Sequence, residues 1–167
     1  MQFKPIAVII VLSLVVASLL VAGCTSSTQN TNTQSGQSNN SVSISAQAVQ
    51  SPPQIMSGSL PINPATGNKF VMFNVTFTNI NAPSLSVYNR YFTVQDTNNN
   101  TYPMANFNQD LVTKHFPAST TTNPGMKVNG VIVYDVPQNA KLVTMTYDDS
   151  NIASVVGRTP IHIVIKI

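Results

Sequence analysis

The chain has no glutamate, no tryptophan and a single cysteine, and only 8% of its 167 residues are charged. A typical globular protein carries about 25% charged residues. Eight Lys or Arg and five Asp supply all of it, and after Lys4 the next charged residue is Lys69. Two Arg and six Lys spread singly cannot form a stripe that tracks phosphates, which argues against nucleic acid as a partner. One cysteine rules out an intramolecular disulfide framework. Without Glu, the commonest carboxylate for general acid/base work and the closing ligand of a calcium loop are both missing. Apolar residues nevertheless make up 43% of the chain. The charge shortage is filled by Ser, Thr, Asn and Gln, so this is not a charged, disordered polymer.

The apolar content is concentrated first at the N-terminus. Lys4 precedes a run from Ile6 to Leu20 broken only by Ser13 and Ser18, and the run ends in Val21-Ala22-Gly23-Cys24. A cation, an apolar segment and small residues in that order fit a secretory signal. The last four residues resemble the lipobox of prokaryotic lipoproteins. That resemblance implies cleavage between Gly23 and Cys24 and a diacylglyceryl group on the Cys24 thiol. Two acyl chains on one residue meet the requirement for stable anchoring. The competing reading is an uncleaved signal anchor over residues 6–22, at the short limit for a spanning helix. Either way, residues 25–167 are expected on the extracytoplasmic side of the cell membrane, with 1–23 as the signal peptide.

Residues 25–41 are all Ser, Thr, Asn or Gln except Gly36. With no apolar group to bury, nothing offsets the entropy of ordering, and 24–41 is expected to be a disordered tether behind the lipidated cysteine. As a coil it would reach roughly 20–25 Å. Sequons occur at Asn39, Asn74 and Asn99, but such three-residue matches are frequent by chance in an Asn-rich chain.

From Val42 onward short alternating runs take over. Val42, Ile44, Ala46 and Ala48 share one face of a first strand. Between Lys69 and Asn79, Val71, Phe73, Val75 and Phe77 point one way and Asn74, Thr76 and Thr78 the other. Leu85 and Val87 form a weaker run. Tyr91 to Gln95, the turn Asp96-Thr97-Asn98-Asn99-Asn100 and Thr101-Tyr102 read as a hairpin. Residues 105–124 are less regular, with one helical turn expected between Asp110 and Phe116. Pro124-Gly125 leads into a strand from Lys127 to Val136, followed by Lys141 to Tyr147 and by Ile161, Ile163, Ile165 and Ile167. About seven short strands in residues 42–167 give an all-β fold class, a β-sandwich.

Several of these runs, taken in order, carry a resemblance. They are Val75 to Asn79, Phe92-Thr93-Val94-Gln95-Asp96 with Tyr102, Pro124-Gly125, Gly130-Val131-Ile132-Val133-Tyr134-Asp135-Val136-Pro137, and Leu142 to Tyr147. Over residues 69–147 the chain resembles a domain of unknown function common on prokaryotic lipoproteins. Its fold is telokin-like and immunoglobulin-like, similar to the mycobacterial immunoprotective extracellular antigen. The family implies no enzymatic activity and no catalytic residues to carry over. The last strand and the lack of Gly at Asn98-Asn99-Asn100 depart from its usual form.

Residue by residue, the chemistry is sparse. Of the five aspartates only Asp148 and Asp149 are neighbours, and with Ser150-Asn151 they read as a solvated turn rather than a catalytic pair. Asp96-x-Asn98-x-Asn100 begins like a calcium loop, but Thr101 replaces the required Gly and Phe107 the required Glu. His115, His162 and the scattered Met residues show no metal-ligand spacing. Neither G-x-S-x-G nor a phosphate-binding glycine loop occurs. No cofactor and no metal are expected.

What remains is aromatic. Tyr88, Arg90, Tyr91 and Tyr102 fall around one hairpin, a combination enriched at interfaces. The expectation is a membrane-anchored extracytoplasmic lipoprotein whose sandwich is a non-enzymatic binding module for a protein partner at the cell surface. The alternative is a small-solute or metal-binding lipoprotein that delivers its ligand to a membrane partner.

Overall fold

The computed structural model describes residues 34–38 and 41–167. The signal segment, Gly23, Cys24 and Asn39 lie outside the described residues. Twelve strands are found among those described, rather than about seven. In chain order they are β1 (Gln34–Ser38), β2 (Val42–Val49), β3 (Ile55–Ser57), β4 (Leu60–Ile62), β5 (Asn68–Asn79) and β6 (Leu85–Tyr88). There follow β7 (Phe92–Asp96), β8 (Thr101–Pro103), β9 (Ser119–Thr122), β10 (Lys127–Pro137), β11 (Leu142–Asp148) and β12 (His162–Lys166). The surplus is mostly three- and four-residue pieces such as β3, β4 and β9, too short to show an apolar period. One short helix, α1 (Ser150–Val155), joins β11 to β12.

The strands form two four-stranded sheets, β1-β2-β5-β10 and β12-β11-β7-β8, with two small hairpin sheets, β3-β4 and β6-β9. All the ladders are antiparallel. The alternation read in β5 is the one observed. Phe73, Val75 and Phe77 enter the main core together with Val42, Ile44 and Ala46 of β2 and Ile132, Tyr134 and Val136 of β10. Across from them lie Phe92 and Val94 of β7, Met145 and Tyr147 of β11, and Ile163 and Ile165 of β12. Ala48, placed on the same face of β2, is exposed although it pairs with Phe73: the described β1 residues flank β2 only as far as Ala46. The result is an essentially all-β, sandwich-like domain. Rings hold its centre: Phe92 and Tyr147 are 4.8 Å apart, Phe77 and Tyr147 5.4 Å, and Phe92 and Phe116 5.3 Å. Truncating one such buried ring to Ala costs about 3–5 kcal/mol.

A second, smaller core covers the other face of β5 and β10. Phe70, Met72 and Val133 pack there with Ile55, Ala105 and Val112. The expected turn near residue 110 is a 3-10 turn at Gln109–Leu111. Its buried Gln109 donates to the Ala105 carbonyl at 3.0 Å and accepts from the Val133 amide at 3.3 Å. Further along, Phe116 donates its amide to the Val131 carbonyl at 2.8 Å, and Val131 donates to the Lys114 carbonyl at 2.7 Å. The irregular stretch therefore seals the β10 edge, a common protection against edge pairing.

At the N-terminal side the first sheet gains a strand. Gln34–Ser38 lies within the segment read as a disordered tether, yet it pairs with β2 over five residues, from Gln34↔Ala46 to Ser38↔Val42. Ladder hydrogen bonds are made by the main chain, so a segment without apolar side chains can still extend a sheet. Composition could not reveal that.

Candidate functional site

The turn between β6 and β7 is a 3-10 turn, Asn89–Tyr91, with Asn89 buried inside it. Burying Asn89 leaves its neighbours to reach outward. Tyr88 and Tyr91 meet edge to face at 5.2 Å, and the Arg90 guanidinium carbon lies 4.6 Å from the Tyr88 ring centroid and 5.3 Å from that of Tyr91. Each such contact is worth about 0.5–1 kcal/mol at an exposed site. Tyr91 also meets the edge of buried Tyr147 at 6.2 Å, which ties the group to the core. Three of the four residues singled out in the sequence thus come together.

Tyr102 does not join them. It sits on β8 opposite Val94, packs against the main core, and donates its hydroxyl to Asp96 at 2.8 Å. Asp96 is itself buried and accepts from the Asn98 amide at 2.8 Å, the Asn100 amide at 3.0 Å and the Asn100 side chain at 3.0 Å. The Asn100 side chain foremost, then Tyr102 and the two amides, hold this carboxyl below the usual aspartate range against the opposing effect of burial. Its oxygens are committed to shaping the hairpin, which accounts for the calcium-like spacing. Asn99 takes φ = 64°, the left-handed conformation for which glycine would be expected. Asparagine tolerates it better than most residues.

A groove of about 410 Å³ runs beside Arg90 and Tyr91. It is lined by Thr93, Thr101 and Thr146 from the outer side of the second sheet and by Asp148, Ser150 and Asn151. A larger groove of about 610 Å³ lies elsewhere, along the ends of β2 and β5, but its only charged lining residue is Lys69. The smaller one holds the denser hydrogen-bonding chemistry. Asp148 accepts from the Ser150 amide at 2.8 Å, from the Ser150 hydroxyl and from His162 Nδ1 at 3.1 Å. The Ser150 hydroxyl above all, followed by its amide and by His162, keeps the Asp148 carboxyl below its ordinary range. Here the acid stands between serine and histidine. A hydrolase needs the histidine in the middle to take the serine proton, so this trio does not activate a nucleophile.

The neighbouring aspartate corrects the solvated-turn reading. Asp149 is 1% exposed. Its carboxylate meets both terminal nitrogens of Arg158, at 2.6 and 3.3 Å, and accepts from the Ile161 amide at 2.8 Å. It is also the N-cap residue of α1, but makes no side-chain cap bond because the carboxylate is turned inward. Nothing in the spacing of Asp149 and Arg158 announced a buried, forked ion pair. The remaining aspartates are engaged as well: Asp110 meets His115 Nε2 at 3.1 Å, and Asp135 accepts from the Ala65 amide at 2.9 Å. The two histidines sit in separate pairs. Among the described residues no three His, Cys, Asp or Glu side chains are placed to hold a metal ion. Nor is any helix among them long and apolar enough to cross a membrane.

An all-β, sandwich-like domain with a polar groove and no catalytic arrangement among the described residues is the class these observations define. The family model described as Domain of unknown function (DUF4352) matches residues 27–156, and the chain belongs to that family. Several solved structures are similar. A candidate lipoprotein of Bacillus subtilis (YcdA) matches at 13% identity and TM-score 0.55, over 81% of this chain and 39% of that one. A functionally unknown protein from Listeria monocytogenes matches at 10% identity and TM-score 0.53, over 82% of this chain and 83% of the other. The secreted protein MPT63 of Mycobacterium tuberculosis matches at 12% identity and TM-score 0.49, over 70% and 85%. At such identities the likeness to the Bacillus and Listeria proteins establishes the fold alone. No curated protein matches the chain.

Proposed function

We propose that this protein is a membrane-anchored extracytoplasmic lipoprotein. In this reading Cys24 carries the lipid, the signal is cleaved after Gly23, and an immunoglobulin-like sandwich serves as a non-enzymatic module that binds a protein partner at the cell surface. The observation that carries the binding role is the Arg90 guanidinium stacked on Tyr88 and Tyr91 beside a hydroxyl-lined groove. Aromatic and Arg side chains already held in place lose little conformational freedom on association, which is the character of interface anchors. The engagement of all five aspartates in structural hydrogen bonds or ion pairs supports a module that does no acid/base chemistry. Tyr102 is left out of the proposed surface, since its hydroxyl is spent on Asp96.

Two experiments test the reading. Mass spectrometry of the mature protein should find an N-terminal Cys24 bearing a diacylglyceryl group; an unmodified Cys24 inside an intact N-terminus removes the anchor. Replacing the exposed Arg90 by Glu should abolish partner cross-linking in intact cells while leaving the thermal unfolding temperature within a few degrees. Undiminished cross-linking would remove Tyr88, Arg90 and Tyr91 as the contact surface.

A further inference from the structure

The first sheet ends on β1, whose five residues are Gln, Ser, Gly, Gln and Ser. In the β1–β2 ladder the positions opposite Val42, Ile44 and Ala46 are Ser38, Gly36 and Gln34. Directly paired residues of an antiparallel ladder lie on the same face of the sheet. Val42, Ile44 and Ala46 are each at most 1% exposed and belong to the main core. On their far side β5 pairs Asn79, Phe77 and Val75 with them. The apolar layer therefore runs Val75-Ala46, Phe77-Ile44, and then stops at Gln34 and Gly36. A glycine in the middle of a strand weakens it further. Main-chain hydrogen bonds hold β1, with no apolar residue at any of its five positions to add burial. β1 also lies against β12, so it crosses the seam between the two large sheets.

We propose that β1 is a displaceable edge strand, and that the edge of β2 it covers is a strand-acceptor site. The occupant it fits is an extended partner segment with apolar residues at alternate positions, facing Val42, Ile44 and Ala46. Such a segment makes the same ladder hydrogen bonds as β1 and continues the apolar layer that β1 interrupts. Exchange leaves the sheet with the same number of strands, so no backbone group is orphaned in the complex. The short link between β1 and β2 keeps β1 at hand as an intramolecular competitor, which protects the edge from indiscriminate pairing while no partner is present. This site is independent of Tyr88, Arg90 and Tyr91.

Two measurements on the full chain test it. Hydrogen exchange should show the β1 amides, and the β2 amides that face them, opening about a hundredfold more readily than those between β5 and β10. Equal protection in the two ladders overturns the proposal. The second measurement uses a soluble synthetic peptide with Val at alternate positions and Thr or Lys between them. It also uses the variant Gln37→Cys/Ser43→Cys. Gln37 and Ser43 are directly paired, and Ser43 alternates along β2 with the core residues Val42 and Ile44, so a disulfide there locks β1 at a non-core position of β2. Peptide binding, read by fluorescence anisotropy, should fall about tenfold or more in the oxidised variant and return on reduction. Equal binding by the oxidised and reduced forms, or binding by neither, overturns it as well.

Discussion

Replacing Gly130 by alanine would place a methyl group 2.5 Å from the His115 carbonyl oxygen and from the Phe116 nitrogen and Cα. All three are backbone atoms, so no side chain can swing away to make room. The segment they belong to is fastened to β10 by the Phe116–Val131 and Val131–Lys114 hydrogen bonds. Relief requires either moving β10, which is paired with β5 along eleven positions, or peeling residues 114–116 off its edge. Overpacking of this kind costs about 2 kcal/mol. Weakening the two hydrogen bonds adds about 1 kcal/mol. A total near 3 kcal/mol corresponds to a fall in Tm of about 10 °C for a domain of this size. The control is Gly125→Ala. Gly125 has φ = 82° and open space around its Cα, so alanine there incurs only the left-handed backbone penalty, about 1 kcal/mol. Thermal unfolding followed by circular dichroism compares the two, and hydrogen exchange should show the Phe116 and Val131 amides losing protection only in Gly130→Ala. If Gly130→Ala is no less stable than Gly125→Ala, the close approach is not what requires glycine, and the steric argument fails.

Other perturbations have equally definite outcomes. Arg158→Ala strands the buried Asp149 carboxylate and should destabilise the domain by about 3 kcal/mol in urea unfolding; a loss below about 0.5 kcal/mol, the range of an ordinary surface change, would contradict a buried ion pair. Asn79 is fully buried, donates to the Ala82 and Thr122 carbonyls at 3.2 and 3.0 Å, and accepts from the Ala82 amide at 2.9 Å. Asn79→Ala should therefore cost about 3 kcal/mol by the same measurement, since the partner groups are left buried and unpaired. Asp96 has a folded pKa below its unfolded value, so its stabilising contribution is complete above the unfolded pKa and is lost as pH falls through the folded one. An NMR titration should show Asp96 titrating below an exposed aspartate, and Asn100→Ala should raise its pKa; an unshifted Asp96 in the intact hairpin would refute that role.

How far the residues could be read in advance depends on whether their determinants are local. The alternation in β12 and in residues 74–79 of β5 was legible because there one face packs into the main core and the other does not, and period-two burial leaves its mark on the sequence. The Asp96 hairpin was legible for the same reason: the aspartate and the amides it accepts lie within four residues. β1 was not, because Gln34-Ser35-Gly36-Gln37-Ser38 enters the sheet through backbone groups that every sequence possesses. The Asp149–Arg158 pair was hidden by distance along the chain: α1 separates partners that look like a turn residue and a surface cation. Tyr88, Arg90 and Tyr91 were found from their clustering. That Tyr102 turns away could be known only from its register opposite Val94. The glycine that opens Gly130-Val131-Ile132-Val133 was visible as a motif, and its reason appeared only with the backbone of residues 115–116 against it.

The central claim is that the anchored domain meets its partner through Tyr88, Arg90 and Tyr91. The most direct test places a photo-crosslinking residue at position 151, exposed on the groove wall beside Arg90 and Tyr91, in the full chain in intact cells, with position 127 on the opposite sheet as the control. The account predicts one discrete adduct from position 151, absent from position 127 and lost when Arg90 is changed to Glu. No adduct from position 151, or the same adducts from both positions, would contradict it.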